Sequence, residues 1–234
     1  RRHRMLQVSG ICKSYGKRRI LDQAELSAHR GTCVGIVGAN GCGKTTLLSV
    51  LAGVRKPDRG SIRIDGQEAS GHPAVFAAKA AYVPQENPLM EELTVRDNLL
   101  LWYKGSKSRM KEDLEHGPAA LLGIPSMLER RAGKLSGGMK KRLSIACALS
   151  GQAPLLIMDE PGAALDLECK ETIRQYLQSY LENGGTAVLT SHEMEELSMC
   201  SRLYVLRDGR LEEIPAGLGP KELIASFHPP KVGI

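Results

Sequence analysis

TCVGIVGANGCGKTT, residues 32–46, decides the fold. Its first seven residues are small or apolar and read as a buried strand, glycines follow at once, and a helical pattern opens at about Lys44. Within it GANGCGKT, residues 38–45, fits the pattern G-x-x-x-x-G-K-[ST]. Such a loop bares backbone N–H groups around a phosphate, and the helix behind it aims the positive end of its dipole at the same place. Gly38, Gly41 and Gly43 permit the curl, Lys44 would neutralise the β and γ oxygens, and Thr45 would offer its hydroxyl to Mg²⁺. The pattern points to a nucleoside triphosphate. Cys42 fills a variable slot of the loop as a small residue, and the helix dipole and Lys44 are expected to favour its thiolate.

Outward from this stretch, short β-like runs stand at LQVSGI (6–11), SIRIDG (61–66), AAYVPQ (80–85), LLIMDE (155–160), TAVLTS (186–191) and LYVLRDG (203–209). Helical patterns follow several of them, which predicts an α/β fold of the P-loop NTPase kind, a mainly parallel sheet wrapped by helices. RIDGQ (63–67) and LRDGR (206–210) carry Asp-Gly between strand-like residues and predict antiparallel hairpins at the sheet margin. From Gln85 to Ser136 the texture changes. ELTVRDNLLLWYKG (92–105), a charged segment and LEHGPAALLGIPSMLERR (114–131) hold no convincing strand and read as a helical insert.

One domain is expected over residues 1–234: a core at 5–84 and 154–214, a helical subdomain at about 86–150, and a tail at 215–234 with a short helix near 221–227. Arg1 to Arg4 precede Met5, which reads as the natural start, and no export signal is recognisable. No apolar run approaches the roughly 20 residues needed to cross a bilayer. Six cysteines without a C-x-x-C pair read as reduced cytosolic thiols rather than a disulfide framework or zinc site. The net charge of +6 is dispersed and aromatic content is 4%, so a solvated basic surface is read and no nucleic acid is expected. The densest basic runs, at 17–19 and 140–142, fit polyphosphate attraction or a surface helix equally well.

A second glycine motif, LSGGMKKR at 135–142, precedes the strand-like LLIM that ends in Asp159-Glu160. Together with the phosphate loop, this order resembles the ATP-binding cassette (ABC) family, and the resemblance runs from Leu6 to about Glu213. The resemblance implies ATP and Mg²⁺ as ligands, bound by a loop to which Asn40, Cys42 and Thr46 also belong. It implies that Asp159 holds Mg²⁺ through water, that Glu160 is the general base, and that His192 senses the γ-phosphate. Gln85 is similar to the family's loop glutamine, which reaches Mg²⁺ and the attacking water and moves with the helical insert. Tyr15 sits where the family places a ring against adenine. Ser136, Gly137 and Gly138 would serve a nucleotide held by a second, head-to-tail cassette, so hydrolysis is expected to need two chains.

The family also implies transmembrane permease partners and a place on the cytoplasmic, inner face of the cell membrane. ELTVRDNL and GGMKKRL resemble cassettes of bacterial ABC-2 type exporters, while an importer cassette or a soluble cassette acting on nucleic acid are the alternatives. One departure stands out: PGAALD (161–166) carries Gly162 and Ala163 where many members have hydroxyl side chains at the dimer seam.

Overall fold

A computed structural model describes residues 3–227. The expected tail beyond Phe227, and Arg1 and Arg2, lie outside the described residues. Six strands form one sheet: β3 (Cys33–Val37), β6 (Ala80–Val83), β7 (Leu155–Asp159), β8 (Thr186–Thr190), β9 (Arg202–Arg207) and β10 (Arg210–Ile214). Their order is β10-β9-β3-β8-β7-β6. All neighbours run parallel except β10, which returns antiparallel from β9. Every residue of β3, β7 and β8 is buried, as a parallel sheet covered on both faces demands, and this is why CVGIV, LLIM before Asp159, and TAVLT are unbroken small or apolar runs.

Side chains along each strand alternate between two cores. Val34, Ile36, Leu155 and Ile157 face one cluster, together with Leu47 and Leu48 of α1 (Lys44–Leu51). Cys33, Val37, Leu156 and Met158 face the other, which includes residues of α6 (Gly137–Ala148) and α7 (Leu167–Glu182). The helix behind the phosphate loop is therefore clamped within one core, and its first turn cannot drift.

A second sheet, ordered β2-β1-β4-β5, covers that core: β1 (Arg4–Tyr15), β2 (Arg18–His29), β4 (Arg59–Ile64) and β5 (Gln67–Glu68), all antiparallel. Both Asp-Gly hairpins form. Asp65 and Gly66 have φ of 52° and 77°, and Asp208 and Gly209 have 50° and 78°, the left-handed pair that a two-residue hairpin requires. LRDGR lies at the margin of the parallel sheet as expected, whereas RIDGQ joins β4 to β5 in the separate antiparallel sheet.

The segment between Gln85 and Ser136 is helical: α3 (Val95–Trp102), α4 (Lys107–His116) and α5 (Pro118–Leu121), with two 3-10 turns, and only a lone bridge between Thr94 and Arg131. α2 (Pro73–Lys79) precedes β6, α8 (Met194–Ser198) follows β8, and the short tail helix is α9 (Pro220–Phe227). Side-chain caps open α3 and α6: Thr94 Oγ1 accepts the Asp97 N–H and Ser136 Oγ the Met139 N–H.

Because β3, β6, β7 and β8 are parallel neighbours, their carboxyl ends lie along one edge. That edge is where open α/β sheets gather ligands.

Candidate nucleotide site

The phosphate loop leaves the end of β3 and returns at the first residue of α1. Gly43, the residue before α1, has φ 111°, and a Cβ there would lie 2.7 Å from Ile20 Cγ2 of β2, so glycine is dictated twice over. Lys44 is buried, and its ammonium donates to the carbonyls of Gly38 at 2.9 Å and Ala39 at 3.2 Å. The loop thus holds its own cation at its rim. An open cleft of about 460 Å³ lies over it, lined by Asn40, Gly41, Gly43, Lys44, Thr45 and Thr46 of the loop and by Gln85 and Glu160 from the neighbouring strand ends.

Asp159 and Glu160 end β7 with opposite surroundings. Asp159 is buried, and its Oδ1 accepts the Thr190 hydroxyl of β8 at 2.6 Å. Its Oδ2 has no hydrogen-bond partner among the described residues. A buried carboxylate oxygen left bare is costly, and a hydrated cation would satisfy it, so the residues present fit Mg²⁺. Glu160 has φ 47°, a left-handed backbone that costs on the order of 1 kcal/mol for a residue with a Cβ. Its N–H donates to both the carbonyl (3.1 Å) and the hydroxyl (3.0 Å) of Thr190, which hold that turn. The turn sends the carboxylate out to meet two side chains: Gln85 Nε2 donates to Oε2 at 3.3 Å, and His192 Nε2 lies 3.4 Å from Oε1. Three residues from the ends of three strands thus meet at one carboxylate.

Ser136, Gly137 and Gly138 lie elsewhere. Ser136 caps α6, Ser136 and Gly137 are exposed, and none of the three lines the cleft. Gly138 is buried against α7, where a Cβ would overlap the Cys169 sulfur. Tyr15, half exposed at the end of β1, does not line the cleft either; Arg55 and Lys13 stand over its ring at 5.6 and 5.7 Å.

One expectation is corrected. Cys42 is half-buried and packs beside Gly38, so burial pushes its thiol up, outweighing the Lys44 charge that would lower it. At Gly162 the space that a Cβ would take is filled by the Glu196 carboxylate, the far end of a flexible side chain that bonds the Ser191 hydroxyl next to His192. Arg18 and Ile20 of β2 also line the cleft; Arg18 belongs to the basic run 17–19 that fits polyphosphate attraction, whereas Ile20 was missed because no β2 was read. Thr190 was missed too, its only signal being a hydroxyl at the end of an otherwise apolar strand.

Comparisons with known proteins agree with this geometry. The profile of the ABC transporter family matches residues 21–163. The chain is 38% identical to a Nod factor export ATP-binding protein I of Paraburkholderia xenovorans, over 94% of this chain and 73% of that protein. It is 36% identical to a protein of the same name from a Rhizobium species, over 88% of this chain and 68% of that one. Among solved structures, an ATP-binding subunit of an ABC transporter superposes with a TM-score of 0.84 at 25% identity, covering 95% of this chain and 99% of the other. A dimeric bacterial ABC transporter cassette superposes at 0.82 with 27% identity, covering 92% and 100%. In sequence and in fold the chain is thus matched along nearly its whole length, and it belongs to the ABC transporter family as its ATP-binding, ATP-hydrolysing subunit.

Proposed function

We propose that this ATPase works as one half of a head-to-tail pair and drives export through membrane-spanning permease subunits. The observation that carries the reading is the separation of the two glycine motifs. One chain offers a cleft with its phosphate loop, while the exposed Ser136-Gly137 step at the start of α6 does not line that cleft. A helix start with bare N–H groups is an anion site in need of an anion. A second copy would supply it as the γ-phosphate of its own nucleotide. The dimeric cassette among the similar structures supports this arrangement.

In the closed pair, Lys44 leaves its carbonyls and meets the β and γ oxygens, and the loop N–H groups take the remaining phosphate charge. Thr45, Gln85 and Asp159 would hold Mg²⁺, which supplies charge neutralisation at the phosphates when bound. Glu160 accepts a proton from the attacking water, Gln85 orients that water, and His192 meets the γ-phosphate from the next strand end. Tyr15, which lies outside the cleft lining, would contribute base stacking. Closing and reopening of the pair transmits the cycle to the permease, with the chain peripheral on the cytoplasmic face of the membrane. Among the described residues no helix is long and apolar enough to cross a bilayer. Export is favoured over import because the similar curated proteins carry export in their names.

Copurification from solubilised membranes tests the transport reading. A polytopic partner whose inside-out vesicles, given ATP outside, accumulate a labelled substrate is the expected result; ATP-dependent loss from such vesicles would reverse the direction, and the absence of any membrane partner would end the reading.

A further inference from the structure

The basic run at 140–142 reads from the sequence as polyphosphate attraction or a solvated helix face, yet its three residues do three different things. Lys140 reaches outward to Glu91 at 2.6 Å, and Arg142 donates to the Leu122 carbonyl at 3.4 Å. Lys141 turns inward. It is buried, and its ammonium donates to the carbonyls of Pro84 at 2.8 Å and Gln85 at 2.9 Å.

A lysine so deeply buried is costly unless its donors are filled. Two are filled by carbonyls just past the end of β6, and Asp159, at the end of the adjoining β7, attracts the charge. Carbonyls of a strand end have other partners available, water among them, so a buried cation is not needed merely to satisfy them. What it fixes is where residue 85 leaves the sheet. The Gln85 side chain beyond that point donates to Glu160.

We propose that Lys141 is a positioning residue for Gln85: its ammonium pins the backbone at residues 84 and 85 so that the amide meets Glu160 and the water it activates. This rests on the reading that Gln85 and Glu160 serve hydrolysis in a two-chain site. Lys141 stands five residues after Ser136 in α6, a rise of about 7.5 Å along the helix. The same helix thus presents Ser136 and Gly137 to the partner's nucleotide and holds the glutamine of its own.

Mixed dimers separate those two duties. A chain carrying Lys141→Met is paired with an excess of a Lys44→Ala chain, so that only the site on its own phosphate loop works. Turnover there is expected to fall about 10- to 100-fold with KM for ATP held within about twofold, as for a misplaced catalytic amide. In the converse pairing both changes sit in one chain, supplied in excess over the parent. Only the parent's site then works, using the altered chain's Ser136 and Gly137, and turnover is expected to stay within about twofold. Equal loss in both pairings would make Lys141 a prop for its helix, and no loss in the first would free it of any role; either overturns the proposal. Lys141→Arg, which keeps charge and donors, is expected to recover most of the lost turnover.

Amide hydrogen exchange on the unpaired Lys141→Met chain supplies a readout independent of dimerisation. Faster exchange over residues 85–89 with unchanged exchange over 137–148 is expected, and unchanged exchange at 85–89 would overturn the proposal. If hydrolysis by the parent proved independent of pairing, the two-chain reading would fall while this exchange result still decided Lys141.

Discussion

The two glycine motifs of this chain have the same chemistry and opposite situations. The loop at 38–45 ends a fully buried strand, begins a helix clamped in one core, and faces Gln85, Glu160 and His192 from adjoining strand ends. The motif at 135–138 starts a helix of the insert, is tight only where Gly138 meets α7, and presents Ser136 and Gly137 to solvent. The first is a site whose parts the fold has gathered. The second is, on the proposed reading, a part whose site lies in another molecule, and burial distinguishes them where sequence pattern alone cannot.

The largest expected effect falls on the gathered site. Glu160→Gln removes the proposed base and is expected to lower turnover by about 10²- to 10⁴-fold while ATP binding, read by equilibrium dialysis, is kept. Lys44→Ala should instead lose binding. Turnover by Glu160→Gln equal to the parent's would remove Glu160 from its role. Next, Gly138→Ala drives a methyl into the Cys169 sulfur and is expected to cost about 1–3 kcal/mol in denaturant unfolding. Gly137→Ala, with no neighbour closer than 4.0 Å, is expected to cost less than half of that; equal costs would refute the contrast between the buried and exposed halves of the motif.

Smaller still is the effect on Cys42. Its raised thiol predicts maleimide modification slower than that of a free thiol at pH 7, speeding up as pH rises, and slowed again by ATP in the cleft. Modification faster than the free thiol would mean that Lys44 and the helix dipole win over burial after all. The smallest effect is remote from both motifs. His3, Lys79 and Arg30 around Asp65 hold its carboxyl down to about 2. A depressed carboxylate contributes stability above its unfolded value of 3.8 that is lost as pH falls toward about 2. Asp65→Asn, which tolerates the left-handed turn, is therefore expected to lower stability by at most about 1 kcal/mol at pH 7, after screening of a partly exposed site, with the gap closing below pH 4. A gap that widened in acid would contradict the sign.

The parallel sheet and the edge that gathers the candidate site were legible because buried strands write unbroken apolar runs and because residues after such strands must share an edge. β2 was not legible. Its buried residues Leu21, Ala24, Leu26 and Ala28 lose their alternation at Gln23, where φ is 57° and the ladder with β1 shifts register, and charged residues fill the exposed positions. Ile20 of the cleft was lost with it, while Arg18 was legible only as part of the basic run 17–19. The inward turn of Lys141 and the filling of the space at Gly162 by Glu196 are also contacts between distant segments. No local pattern encodes them: a KKR run looks the same whether its middle lysine faces water or a strand end.

Complementation between two disabled chains tests the two-chain site most directly. A Lys44→Ala chain keeps its α6 motif, and a Ser136→Arg chain keeps its phosphate loop. Neither alone should hydrolyse MgATP, whereas an equal mixture should regain about a quarter of the parent's activity, since half the pairs are mixed and each holds one complete site. Continued hydrolysis by the Ser136→Arg chain alone, or a mixture as inactive as its components, would contradict the account.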